Sequence, residues 1–155
     1  MKIQWKQLLI ALAIPLAVGG LSALISGGMS DYQDLAKPPL SPPGWVFAVV
    51  WPILYLLMGF ASYLIYTADA PEGQKKRALT LYAIQLVLNF LWSPVYFGLE
   101  WRLVAFFILI ALWVAILLTM RAFSLVSEKA GDLLLPYVLW VTFAAYLNLG
   151  TVLLN

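Results

Sequence analysis

Aromatic and amide side chains recur at helical spacing in three apolar stretches of the sequence. Ala48, Trp51 and Tyr55 lie three and four residues apart, so they share one face of a helix. The other two stretches carry Gln85, Asn89, Trp92 and Tyr96, and Trp140, Ala144 and Asn148. Indoles beside amides suit a planar aromatic ligand, because rings stack on its face while amides fix its orientation. The pattern predicts a ligand cavity, and packing between helices is the alternative.

The chain contains no His and no Cys. This excludes disulfides, thiolate metal sites, imidazole bases, Ser-His and Cys-His nucleophiles and His-ligated haem. We expect no metal site and no required cofactor. The formal net charge of +2 is too small and too dispersed for a nucleic-acid partner. Any chemistry must come from aromatics, amides, backbone or the ligand.

The composition predicts the elements that hold these side chains. Of 155 residues, 64% are hydrophobic and 10% are charged, more apolar surface than one small water-soluble core buries. Five apolar runs are long enough to cross a bilayer as helices, with no charge in the interior of any. We predict an all-α integral membrane protein, a five-transmembrane-helix bundle forming one domain over residues 1–155, with spans 8–27, 45–66, 78–99, 103–122 and 133–154.

The basic residues predict the orientation of the bundle. Lys2, Lys6, Lys75, Lys76, Arg77, Arg121 and Lys129 fall on one side of the membrane, and Lys37 and Arg102 on the other. The positive-inside rule then puts the N-terminus in the cytoplasm and the C-terminus outside, in a plasma membrane. A cleaved signal sequence is the alternative for the first run, but that run is longer than a usual signal core and lacks a clear cleavage site.

No charged side chain lies in the middle of a span, which argues against a pump, a voltage sensor or a carboxylate-coupled transporter. The outward loop over residues 31–44 contains four prolines, so it is stiffer than a Gly/Ser linker. A stiff loop over one end of a bundle suits a lid, and a plain extracellular linker is the alternative. Small residues in the first span, Gly19, Ala23 and Gly27, are assigned to close packing or an oligomer contact.

Three blocks of sequence resemble the signature of the translocator protein family, the tryptophan-rich sensory proteins. The first block is KPPLSPPGW at 37–45 followed by WPILYLLMG at 51–59. The others are QLVLNFLW at 85–92 and PYVLWVTFAAYLN at 136–148. The resemblance covers nearly the whole chain, in the right order.

The resemblance implies a five-helix bundle, commonly a homodimer in membrane lipid, with a cavity beneath the first loop. It also implies binding of porphyrins, such as protoporphyrin IX and haem, and of isoquinoline-type ligands. Since the chain has no His, we expect the metal-free porphyrin to bind by stacking and apolar burial. By position, the implied ligand-binding residues are Tyr32, Pro42, Ala48, Trp51, Tyr55, Asn89, Trp140, Phe143, Ala144 and Leu147.

Three functions follow as hypotheses. The first is a sensor, receptor or transporter of tetrapyrroles in a bacterial plasma membrane. The second, implied by the resemblance, is an enzyme that degrades protoporphyrin IX with light and oxygen, with Trp51 and Trp140 as its catalytic indoles. The third is a small membrane scaffold or accessory protein. A cholesterol-recognition pattern of animal relatives is missing, because no Lys or Arg follows Tyr146.

Overall fold

The computed structural model describes residues 2–27 and 35–155 of the chain, and they form an all-helical bundle. Five helices are long and apolar enough to cross a membrane, which confirms the predicted fold class. The helices are α1 (Trp5–Ile25), α2 (Gly44–Tyr66), α3 (Glu72–Ser93, continued by a π-helical turn over Pro94–Gly98), α4 (Arg102–Val126), a short α5 (Glu128–Asp132) and α6 (Leu135–Leu154).

The helices differ from the predicted apolar runs mainly at their polar ends. Helix α3 begins at Glu72, before the predicted residue 78, and includes three cationic residues. Helix α4 continues past Arg121 to Val126. Backbone hydrogen bonding continues beyond the last apolar residue of a run. A run of apolar residues therefore predicts the segment that crosses the hydrocarbon core of the membrane, but not the ends of the helix. The segment between the fourth and fifth predicted spans includes a short helix, α5, capped by the Ser127 hydroxyl, which accepts from the Ala130 amide at 3.3 Å.

Helix α4 packs against α3 and α6, while α1 packs against α2 and α3. The core between them consists of large apolar side chains that are almost fully buried, among them Met58, Ile65, Leu109, Leu112 and Ile116. Many other apolar side chains of α1 and α4 remain exposed, as expected for faces that contact lipid. The bundle therefore has apolar side chains both in its core and on its outer faces, and a small set of polar side chains is buried inside it.

Helices α1 and α2 approach closely at Gly59. Pro15 has no N–H to donate to the Ala11 carbonyl within α1. That carbonyl faces Gly59, where an added Cβ would lie 2.6 Å from its oxygen. The absence of a side chain at Gly59 thus lets the two backbones meet and fixes α1 on the bundle.

The described part of the first loop, residues 35–43, is held against the end of α6. The Asn155 amide donates to the Ala36 carbonyl at 2.8 Å, and the Tyr146 hydroxyl donates to the Pro39 carbonyl at 2.7 Å. The Pro38 ring occupies the space beside Gly150, where a Cβ would lie 2.5 Å from it. Tertiary contacts as well as the prolines therefore hold this part of the loop.

Candidate functional site

A cavity of about 390 Å³ lies between α1, α2 and α3. Its volume falls in the range of small-molecule sites, roughly 300 to 1,000 Å³. Aromatic rings of α2 and α3 form one side and small residues of α1 form the other. The lining residues are Leu16, Gly19, Gly20, Ser22, Ala23, Ser26, Phe47, Ala48, Trp51, Pro52, Tyr55, Asn89, Trp92, Ser93 and Phe97.

A chain of buried hydrogen bonds leads from this cavity into the core. The Tyr55 hydroxyl donates to Asn89 Oδ1 at 3.1 Å, and Asn89 Nδ2 donates to the Tyr137 hydroxyl at 2.6 Å. Tyr137 in turn donates to Gln85 Oε1 at 2.7 Å, and Gln85 Nε2 lies 3.9 Å from the sulfur of Met58. The chain joins α2, α3 and α6, so it fixes the positions of Tyr55 and Asn89, two of the polar side chains that line the cavity.

The direction of these bonds sets what the cavity offers a ligand. Tyr55 uses its only proton on Asn89, so its oxygen remains an acceptor. Asn89 keeps one proton on Nδ2. Pro52 has no N–H to give the carbonyl of Ala48, another lining residue. The polar contribution is therefore a few uncharged groups on a largely apolar wall.

Trp51 lies at the junction of the aromatic contacts. Its ring stacks on Tyr55 with centroids 5.6 Å apart, and it meets Tyr137 edge-on at 6.4 Å. It also meets Trp140 of α6 at 6.5 Å and a right angle. One part of this indole lines the cavity and the rest is held by rings of α2 and α6, which leaves it little freedom to turn.

A wall of three rings separates the cavity from a second space of about 20 Å³ near the loop. Phe47, Trp92 and Phe97 line both spaces. Trp92 is fixed by its indole N–H, which donates to Asn148 Oδ1 at 3.0 Å, and by stacking on Tyr96 at 5.0 Å. The small space is lined further by Lys37, Ser41, Tyr96, Ala144, Leu147, Asn148 and Thr151.

The ten predicted ligand-binding residues fall into separate places. Ala48, Trp51, Tyr55 and Asn89 line the main cavity together. Ala144 and Leu147 line the small space behind the aromatic wall. Trp140 and Phe143 line an apolar groove of about 490 Å³ between α2 and α6, with Pro136 and Leu139. Pro42 precedes α2 and is not among the residues that line these three spaces, and Tyr32 lies outside the described residues.

Sequence reasoning missed two parts of the site. The α1 wall includes Ala23, which was assigned to close packing or an oligomer contact, and Gly20, which the sequence did not single out, because small residues at helical spacing carry no chemical signal. Gly19 does pack, since a side chain there would overlap the Tyr55 ring. Tyr137 was also left out of the site, although it is 1% exposed and central to the hydrogen-bond chain. Tyr137 lies three residues before Trp140, so helical spacing extends the α6 stripe to Tyr137 and could have identified it.

Among the described residues, charged side chains do not line the main cavity. Within residues 2–27 and 35–155, no three His, Cys, Asp or Glu side chains come together in a way that would hold a metal ion. The described site is therefore built for stacking, apolar contact and a few neutral hydrogen bonds.

Comparison with known proteins matches the TspO/MBR family model over residues 11–154. The chain is 41% identical over 124 residues to the tryptophan-rich protein TspO of Chlorobaculum tepidum, covering 80% of this chain and 78% of that protein. It is 39% identical over 124 residues to the tryptophan-rich sensory protein of Cereibacter sphaeroides, covering 80% and 76%. It is 42% identical over 124 residues to the translocator protein of Ovis aries, covering 78% and 72%.

Proposed function

The chain belongs to the TspO/MBR family, and from that premise we propose that it binds a tetrapyrrole in the cavity between α1, α2 and α3 as a membrane sensor, receptor or transporter. The observation that carries the proposal is the wall of Trp51, Trp92, Phe47 and Phe97 around a largely apolar cavity that ends on Tyr55 and Asn89. A flat macrocycle gains by stacking on such rings. Isoquinoline-type ligands, which are also planar and apolar, suit the same wall.

The proposed mode of binding needs no axial ligand. With no His in the chain, protoporphyrin IX is held by its face and edges, and the iron of haem adds no strong protein bond. We therefore expect protoporphyrin IX to bind as well as haem. Neither a resident cofactor nor a protein metal site is part of this proposal.

Titration of purified protein with protoporphyrin IX tests the proposal. We expect saturable quenching of tryptophan emission and a shifted Soret band at one porphyrin per chain. Trp51→Leu removes one stacking ring and should raise the Kd about tenfold, since an aromatic pair and its buried area contribute on the order of 1 to 2 kcal/mol. Trp113→Phe is the control, because Trp113 bonds to Thr142 at 2.9 Å between α4 and α6, away from the cavity.

Two results would contradict tetrapyrrole binding at this site. One is tryptophan emission that does not change when protoporphyrin IX is added. The other is an equal loss of affinity in Trp51→Leu and Trp113→Phe, which would indicate adsorption to the apolar surface.

Light-dependent degradation of protoporphyrin IX is the second candidate, because the Trp51 indole lines the cavity. A photoexcited porphyrin exchanges electrons or reactive oxygen with a neighbouring indole, so no acid or base is required. Trp140, the other predicted catalytic residue, lines the outer groove and meets Trp51 edge-on. If the protein turns over, the amount of porphyrin product under light exceeds one equivalent per chain in the wild type but not in Trp51→Phe. Product limited to one equivalent in the wild type would indicate oxidative damage to the protein.

We also propose that the N-terminus is cytoplasmic in a bacterial plasma membrane, and that the chain forms a homodimer, as the resemblance implies. The basic residues support the orientation, because Lys6, Lys75, Arg121 and Lys129 lie at one end of the bundle. A reporter enzyme fused after Asn155 should be active only outside the cytoplasm. Activity of that fusion in the cytoplasm would contradict the proposed orientation and indicate the opposite one.

A further inference from the structure

A further recess lies far from the ligand cavity, where α2 ends and α3 begins. It has a volume of about 860 Å³ and is lined by Tyr66, Glu72, Gly73, Lys75, Lys76, Leu79, Thr80 and Ala83. Lys6 and Lys129 are at the same end of the bundle, because α1 and α5 begin there. We call this recess the α2–α3 groove.

The polar end of the α2–α3 groove carries positive charge. Lys75 and Lys76 line it, and Arg77 follows them. Glu72 is the acidic residue among those that line the groove, and its carboxylate is 3.8 Å from Lys75 Nζ. The Glu72 side chain is 92% exposed, so solvent screens this pair strongly. The Lys75 side chain is 15% exposed, which means that its stem lies along the groove wall.

From its polar end the groove runs along α3 to an apolar strip formed by Ala83, which lines the groove, and Val87, which lies one turn beyond it. Lys76, Thr80, Ala83 and Val87 are four, three and four residues apart, so they follow one face of the helix. The Thr80 hydroxyl donates to the Lys76 carbonyl at 2.7 Å and is used within the helix. Ala83 leaves the strip shallow, and Val87, 59% exposed, continues it toward the middle of the span.

We propose that the α2–α3 groove binds one anionic phospholipid from the surrounding membrane. Its phosphate pairs with Lys75 and Lys76 at the level of the headgroups, and one acyl chain lies along Ala83 and Val87. Tyr66, exposed at the end of α2, lies where aromatic rings meet the membrane interface. Cations at one end of an apolar strip match a lipid, whereas a free phosphate gains nothing from the strip.

This proposal does not depend on tetrapyrrole binding, because the two sites share no lining residue. Its test is lipid binding by the full chain in detergent micelles, measured by native mass spectrometry. The probes are phosphatidylglycerol and phosphatidylcholine with identical acyl chains. We expect one phosphatidylglycerol to bind about tenfold more tightly than phosphatidylcholine.

Two pairs of variants separate the groove from general surface charge and general apolar contact. Lys75→Gln with Lys76→Gln should abolish the preference, while Lys6→Gln with Lys129→Gln removes the same charge at the same end and should keep it. Ala83→Trp fills the strip and should weaken binding of both lipids, while Ala111→Trp, at an exposed alanine of α4, should not.

Three outcomes would overturn the proposal. They are equal affinity for the two lipids, an equal loss in both lysine pairs, and unchanged phosphatidylglycerol binding in Ala83→Trp. If millimolar inorganic phosphate displaces phosphatidylglycerol equally well from the wild type and from Ala83→Trp, the site binds a free anion instead. If the lysine pair fails to fold, the lipid preference of the wild type and the two tryptophan variants still test the proposal.

Discussion

Asn89→Leu should lower the free energy of unfolding by about 3 kcal/mol and weaken protoporphyrin IX binding. Asn89 bonds to both Tyr55 and Tyr137, and leucine replaces its volume but neither bond. Each buried polar group left without a partner costs about 1 to 3 kcal/mol, although a hydrogen bond within a membrane bundle averages only about 0.6 kcal/mol. We expect the larger cost, that of unpaired buried polar groups, because Tyr137 is only 1% exposed. Unfolding by SDS in mixed micelles, followed by near-ultraviolet circular dichroism, measures the change.

Two milder variants provide a graded control for Asn89→Leu. Tyr55→Phe removes one bond at the cavity end of the chain and should cost about 1 kcal/mol. Tyr137→Phe leaves Asn89 Nδ2 and Gln85 Oε1 without their partner and should cost about 2 kcal/mol. Equal costs in all three variants would contradict a cost that rises with the number of hydrogen bonds removed.

Gly20→Leu should raise the Kd for protoporphyrin IX about ten- to hundredfold while leaving the protein folded. Gly20 lines the cavity, and a Cβ built there meets nothing within 4 Å, so the new side chain occupies ligand space. Overpacking a filled site costs about 1 to 3 kcal/mol, and each 1.4 kcal/mol is a factor of ten in Kd. Equilibrium titration of the porphyrin measures the change.

Gly20→Ala is the matched control, because it makes the same backbone change without filling the cavity. It should bind porphyrin like the wild type and be slightly more stable, since alanine favours a helix over glycine by roughly 0.5 to 1 kcal/mol. Unchanged affinity in Gly20→Leu would show that the porphyrin does not bind in this cavity. The outer groove between α2 and α6 would then become the stronger candidate.

The sequence predicted the five spans because apolar runs of bilayer length have few other solutions. It did not predict where α3 begins or that α5 exists, since both depend on polar residues that a hydropathy argument sets aside. Residues 72–77 lie before the predicted span, yet they are helical, and Ser127 supplies a local cap that starts α5.

The sequence predicted only part of the site, because helical spacing gives incomplete information about how the helices meet. Helical spacing shows which side chains share a face, and the faces of α2 and α3 do meet at Trp51, Tyr55 and Asn89. Spacing does not show which neighbour a face meets. The stripe of α6 therefore divides: Trp140 lines the outer groove, while Ala144 and Asn148 lie behind the aromatic wall.

The resemblance brought residues of α2 and α6 into one predicted pocket, whereas Phe47, Trp92 and Phe97 separate the main cavity from Ala144 and Leu147. Rings that stand between two spaces can join them only by turning. Trp92 is held by Asn148 and Tyr96, Phe47 meets Trp140 edge-on at 5.6 Å, and Phe97 meets Tyr96 edge-on at 4.7 Å, so each ring of the wall is held by contacts with other side chains.

The position of bound zinc protoporphyrin tests the central claim most directly. In crystals of the complex, the anomalous scattering of zinc locates the centre of the macrocycle without reference to the protein density. We predict one zinc peak in the space enclosed by Leu16, Gly20, Trp51 and Trp92. A peak between α2 and α6, beside Pro136 and Leu139, would contradict the assignment of the cavity.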